Sequence, residues 1–195
     1  MIIWSQNENL PDDVLEKLKK VVGKRLSDKP FDLYTTYGER PHDDDEIEVL
    51  DLLLPFYRSK MEQIMRVMGM QDRSSYQFNL WVQGYSKRTP GHSNHSHFSG
   101  DEILSWCHVI QSVDQKPFYF ESDKGAKIYP EYQGSGDINV WPPWVMHGAD
   151  PITVDGNRII IAGNIMLQAV TDFQVTAKCT KEYGEGCVSK ATWVI

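Results

Sequence analysis

Arg158-Ile159-Ile160-Ile161-Ala162-Gly163-Asn164-Ile165-Met166-Leu167, read behind the turn signal Asp155-Gly156-Asn157, decides the fold class. A run this rich in β-branched side chains and bounded by turn residues is a strand. Side chains alternate along a strand, so Arg158, Ile160, Ala162 and Asn164 share one face and Ile159, Ile161, Gly163 and Ile165 the other. Both faces carry apolar residues, so both are covered: the first set lines the inside of a β-barrel and the second packs beneath helices. An arginine on the inner face demands an anion, because burying an unpaired charge costs several kcal/mol or more. A ligand carboxylate gripped bidentately meets that demand; an Arg158 that pairs with a neighbouring Asp or Glu, or points outward, is the alternative.

Upstream, the chain has the same texture back to Ser74, with further strands expected near Tyr76–Tyr85, Ile103–Val113, Pro117–Glu121, Lys127–Tyr132 and Asp137–Trp141, and one downstream near Phe173–Lys178. Before Ser74 the period is helical. Asn9-Leu10-Pro11-Asp12-Asp13 opens a helix whose apolar residues Val14, Leu15, Leu18, Val21 and Val22 fall on one side, and Gly23 is expected to end it. A second helix starts in the acidic run Asp43 to Glu46, is interrupted or restarted at Pro55, carries Tyr57, Met61, Ile64, Met65 and Met68 on one face, and closes at Gly69. Helices first and strands after indicates segregation, which disfavours parallel βαβ folding. The expected class is mainly β within α+β: a double-stranded β-helix (jelly roll) over about residues 74–178, backed by a helical scaffold over about 9–70, in a single domain.

The composition narrows the function. With 195 residues and 41% hydrophobic side chains the chain can bury one substantial core. A net charge of −7 argues against nucleic acid as a partner, since phosphate binding needs clustered Lys and Arg. Met1-Ile2-Ile3-Trp4 runs straight into Ser5-Gln6-Asn7-Glu8, a start that makes neither a signal peptide nor a membrane span, so a cytoplasmic protein is expected. Cys107, Cys179 and Cys187 are too few and too unevenly spaced to form a disulfide framework.

The histidines supply the chemistry. Of six, only His42 lies outside the span from His92 to His147. His95 and His97 are two residues apart, so in an extended strand both imidazoles point the same way and can share one ion, and His147 can close the site from another strand. Neutral imidazoles suit iron, zinc, copper or nickel, and spacing alone does not choose among them. The turn at Asp155-Gly156-Asn157 predicts a hairpin that sets His147 and Arg158 on neighbouring strands.

Taken together, His95-Ser96-His97 followed by a strand, Gly136-Asp137-Ile138-Asn139-Val140-Trp141-Pro142 leading to His147, and Arg158-Ile159-Ile160-Ile161-Ala162-Gly163-Asn164 resemble segments of the 2-oxoglutarate and iron(II)-dependent oxygenase superfamily. Within it, they are similar to a small branch common in phages and bacteria. The resemblance spans roughly Phe78 to Gln168. It implies Fe(II) as the metal and 2-oxoglutarate as a small-molecule cosubstrate, with His95 and His147 as catalytic iron ligands and Arg158 as the partner of the cosubstrate's distal carboxylate.

The wider superfamily has a carboxylate where this chain has His97. Either His97 is the third ligand, which the i, i+2 spacing favours, or Asp101 swings in and His97 stands behind it. In Leu104-Ser105-Trp106-Cys107-His108-Val109, His108 stands nearest a tyrosine that in relatives hydrogen-bonds the cosubstrate, although parity leaves open whether His108 or Cys107 faces inward. Trp81, Tyr85, Trp106, Trp141 and Trp144 are candidate pocket walls. The loops Ser86 to Asn94 and Ser122 to Ala126 are the expected determinants of a substrate that the sequence does not identify. Two rival classes remain: a cupin-like three-histidine metalloenzyme that uses no keto acid, and a non-catalytic jelly-roll module.

Overall fold

The computed structural model describes residues 2–28, 33–38, 41, 43–69, 76–98, 100–167 and 191–194. Helix α1 (Asp12–Asp28) does not stop at Gly23. Its buried stripe continues to Leu26, and the last turn is held by Arg25, which donates to Glu46 at 2.8 Å and to Asp43 at 2.6 Å. Those contacts outweigh a mid-helix glycine penalty of about 1 kcal/mol. Helix α2 (Asp44–Val67) is capped by the Asp43 side chain and runs unbroken through Pro55. Proline costs a helix interior about 3 kcal/mol, but Val49, Leu50 and Leu53 before it and Tyr57, Met61 and Ile64 after it are all buried, so packing decides.

Eleven strands are found among the described residues: β1 (Trp4–Asn7), β2 (Leu33–Thr35), β3 (Tyr76–Tyr85), β4 (His92–His95), β5 (Glu102–Gln111), β6 (Phe118–Glu121), β7 (Lys127–Ile128), β8 (Asp137–Trp141), β9 (His147–Ala149), β10 (Arg158–Leu167) and β11 (Ala191–Val194). One lies ahead of the helices, one between them and the rest after, so the expected order of helices first holds only from β3 on. They form a major sheet ordered β1-β8-β5-β10-β3-β11, with β2 also on β3, and a minor sheet ordered β4-β9-β6-β7. Pairing is antiparallel throughout these strands, and two such sheets facing one another make the expected double-stranded β-helix. The strand expected at Phe173–Lys178, and Cys179, Cys187 and His42, lie outside the described residues.

The major sheet has two covered faces, as the alternation in β10 requires. Ile159, Ile161 and Ile165 join Phe78, Leu80 and Trp106 under the helices, whereas Ile160 and Ala162 join Trp81, Trp141 and Phe120 between the sheets. Gly163 sits where β10 passes closest to its neighbours: a Cβ there would lie 1.9 Å from the Asn79 carbonyl oxygen and 2.7 Å from the Trp106 ring. No helix among the described residues is long and apolar enough to cross a membrane.

One expected pairing is absent. His147 on β9 belongs to the minor sheet and Arg158 on β10 to the major sheet, so the two are not on neighbouring strands. Residues 150–157 are too long for a tight hairpin and carry the chain from one sheet to the other, with Gly156 (φ +110°) taking the turn. His147 and Arg158 therefore line one cavity from opposite walls.

Candidate metal centre and its cavity

The space between the sheets is a cavity of about 390 Å³, within the range of small-molecule sites. His95 and His147 are direct cross-strand partners in the β4–β9 ladder, and their rings lie 4.4 Å apart. His97 falls just beyond β4, where its backbone N–H donates to the Pro143 carbonyl at 2.9 Å and ties it to the loop preceding β9. One nitrogen from each of the three rings lies within 4.8 Å of the others. Asp101 is exposed and stands outside this cluster.

The hydrogen bonds orient the rings. The Nδ1 atoms of His95 and His147 face the carbonyl oxygens of Ser93 and Val145 at 2.8 and 2.9 Å, and that of His97 faces Asn164 Oδ1 at 2.8 Å. Ser105 Oγ donates to the same Asn164 oxygen at 2.9 Å, and Asn164 N donates to Asn79 Oδ1. Oxygens of this kind accept only, so each imidazole carries its proton on Nδ1 and leaves Nε2 as a bare lone pair. His95 Nε2 and His97 Nε2 then face one another at 3.1 Å with no proton between them. Two lone pairs so placed repel unless a cation lies between them, and metal–imidazole bonds of about 2.0–2.1 Å span such a gap. Burial holds His97 down to about 4 and His147 to about 3, so both imidazoles are neutral at pH 7, the form that can bind a metal. The donor set fits an imidazole-preferring transition metal such as iron, zinc, copper or nickel.

Arg158 lies in the same cavity, 3% exposed, with its guanidinium 6.0 Å from the Tyr85 ring. No ion pair or hydrogen bond involves its side chain among the described residues. Beside it, Tyr85 Oη donates to Gln83 Oε1 at 2.6 Å, and burial pushes the Tyr85 phenol up, so it remains a donor. Cys107 also lines the cavity, and burial raises its thiol to about 11, which makes it a wall and not a nucleophile.

Several expected placements differ. His108 does not reach the cavity: Cys107 takes the inward phase of β5, and His108 is buried under the helices, with Nδ1 2.7 Å from Tyr57 Oη and Nε2 2.9 Å from the Glu8 carbonyl. Trp106 packs on the helix side, and Trp144 is 62% exposed outside the cavity, so only Trp81, Tyr85 and Trp141 of the expected aromatics are walls. His92 and Ser93 come from the first expected substrate loop; residues 122–126 contribute nothing, and Tyr37, Phe98 and Glu102 do instead.

The buried His108 gives stability a pH dependence. Burial lowers it from 6.5 to about 4, so as pH falls below 6.5 the unfolded chain takes up a proton that the fold refuses until about 4. Between pH 7 and pH 4.5 this single group should remove roughly 2–3 kcal/mol. Urea unfolding at the two pH values should show a smaller loss in His108→Gln than in the parent; an equal loss would show that other groups carry the acid sensitivity.

The fold has known counterparts. The chain is similar to a Pseudomonas putida prolyl-4-hydroxylase, with 16% identity and a TM-score of 0.56 over 85% of this chain and 92% of that one. It is also similar to AviO1 from Streptomyces viridochromogenes, with 15% identity and a TM-score of 0.56 over 83% and 88%. A third counterpart is the non-heme alpha ketoglutarate dependent epimerase SnoN of nogalamycin biosynthesis, with 11% identity and a TM-score of 0.54 over 83% and 76%. No protein-family model and no curated protein matches the sequence. At these identities the likeness is one of fold.

Proposed function

Starting from a fold shared with a prolyl hydroxylase and an alpha-ketoglutarate-dependent epimerase, we propose that this protein is a non-haem iron(II) and 2-oxoglutarate-dependent oxygenase. In this reading His95, His97 and His147 hold the iron, and Arg158 holds the distal carboxylate of 2-oxoglutarate. Arg158 carries the reading, because a buried cation whose side chain makes no ion pair or hydrogen bond among the described residues faces the same cavity as the three imidazoles. A dicarboxylate keto acid has one end for the arginine and one for the metal.

Iron(II) with 2-oxoglutarate and dioxygen supplies oxidation of a C–H bond coupled to decarboxylation of the keto acid to succinate. The chain's own share is positional. The Ser93 and Val145 carbonyls and the Asn164 amide fix three imidazoles with Nε2 inward. Phe118 and Trp141 pack against His147 and keep water from that side. Arg158 sets the orientation of the cosubstrate by a two-pronged grip. Three neutral imidazoles would leave a bound cation's charge uncompensated, which would favour an anionic chelator beside them.

Anaerobic loading with Fe(II), followed by air and 2-oxoglutarate, should yield succinate above an iron-only control, because such sites turn over slowly without their substrate. Metal binding with no succinate and no affinity for 2-oxoglutarate would replace this reading with a three-histidine metalloenzyme that uses no keto acid.

A further inference from the structure

The cavity has two electrically distinct ends. Arg158 provides the cationic end. Glu102 is the only carboxylate among the described lining residues, and it is turned inward by a break in register. In the β5–β10 ladder Ile165 pairs with Leu104 but Met166 pairs with Glu102, so Ile103 is an extra, bulged residue. Ile103 and Leu104 both pack toward the helices, and Glu102 takes the cavity face that simple alternation would deny it. Bulges of this kind re-aim a side chain beside a functional site.

Aromatic side chains occupy the cavity with it. Tyr37 and Phe98 line it while remaining 48% and 59% exposed, so these rings are held at the mouth. Tyr37 packs edge-on to Trp81 with centroids 4.9 Å apart, and Trp81 lies 5.6 Å from the His97 ring, which puts this wall on the His97 side of the metal cluster. Tyr37 is fixed there because its backbone N–H donates to Thr35 Oγ1 at 3.0 Å and Thr36 N–H donates to the Val82 carbonyl. Aromatic faces combined with a carboxylate are the chemistry that selects a cation, since the rings offer negative faces without forming competing hydrogen bonds. The net charge of −7 draws cations toward the molecule as well.

We propose that the substrate of this site carries an ammonium cation, seated against Glu102 between Tyr37, Trp81 and Phe98. This rests on the oxygenase reading for its chemistry but not for its binding. With the cation at Glu102, the carbon chain attached to it extends toward the His95–His97–His147 cluster.

Binding is read by quenching of tryptophan fluorescence in the full chain, with and without Mn(II). The probes are choline and n-pentylammonium, each set against its uncharged counterpart, 3,3-dimethylbutan-1-ol and n-pentanol. At least one cation should bind about tenfold more tightly than its alcohol. Glu102→Gln and Tyr37→Ala should each erase most of that preference while leaving the weak binding of the alcohols unchanged. Tyr37 is at the mouth and Glu102 is only partly buried, so the variants should keep the parent melting temperature, and Phe98→Ala serves as a second aromatic probe. Equal binding of cations and alcohols, or a preference that survives Glu102→Gln, overturns the proposal. Succinate formation is measured separately: cation preference without succinate sinks only the oxygenase reading, and succinate without cation preference sinks only this one.

Discussion

His147→Ala is expected to abolish both succinate formation and the stabilisation of the protein by divalent metal. A ligand that binds only the folded state at about a hundred times its Kd raises stability by about 2.7 kcal/mol, which for a chain of this size is a melting shift of about 5–10 °C. With Fe(II), Mn(II) or Zn(II) added to metal-free protein, the parent should show that shift. His147→Ala removes one of three inward Nε2 atoms, and because disturbing even the outer partners of metal ligands weakens affinity 10–100-fold, loss of a ligand should weaken it by at least about a hundredfold. The neighbouring His92 is the control. Its ring touches that of His95 at 4.4 Å but lies outside the cluster, so His92→Asn should retain the shift. The same measurement decides the third ligand: His97→Ala should behave like His147→Ala, and Asp101→Asn like the parent. The reverse pattern would move the ligand to Asp101.

What the sequence made legible was the part governed by period. The alternation Arg158-Ile159-Ile160-Ile161 fixes which residues of β10 face the cavity, because a strand paired on both sides has no freedom to change phase. Phase was lost where the strand is irregular. The Ile103 bulge hides Glu102, and no local signal in Glu102-Ile103-Leu104 marks it. His108 and Cys107 were indistinguishable by composition, and the helices decide: Tyr57 on α2 gives His108 a partner on the far side of the sheet. Strand β1 carries the polar run Ser5-Gln6-Asn7, and β9 is only His147-Gly148-Ala149. Both owe their existence to partners distant in sequence, β8 for the first and β4 and β6 for the second. Gly23 and Pro55 read locally as stops, but the buried stripes of α1 and α2 override them. The acceptors that orient the imidazoles include backbone carbonyls, which no side-chain pattern reveals.

Arg158→Met is expected to separate binding from stability in a way that no structural salt bridge would. If Arg158 served the fold, deleting it would strand a buried acid and destabilise the protein by about 3–5 kcal/mol. No such acid pairs with it among the described residues, and the guanidinium is 3% exposed beside the ring of Tyr85. With only the face of Tyr85 and the cavity beside it, the guanidinium gives the fold no acid to lose, and an apolar side chain of similar length should leave stability equal or raise it by about 1–4 kcal/mol. Cosubstrate binding should move the other way. Truncating one member of a buried, hydrogen-bonded charge pair costs about 2–5 kcal/mol, so the KM for 2-oxoglutarate should rise by roughly thirtyfold to several thousandfold. Arg158→Lys should recover part of this, since an ammonium keeps the charge but lacks the two-pronged geometry. Melting temperature without ligand and KM for 2-oxoglutarate are read on the same preparations. A variant that loses stability and cosubstrate affinity together would mark Arg158 as a structural residue and leave the cavity without its anion anchor.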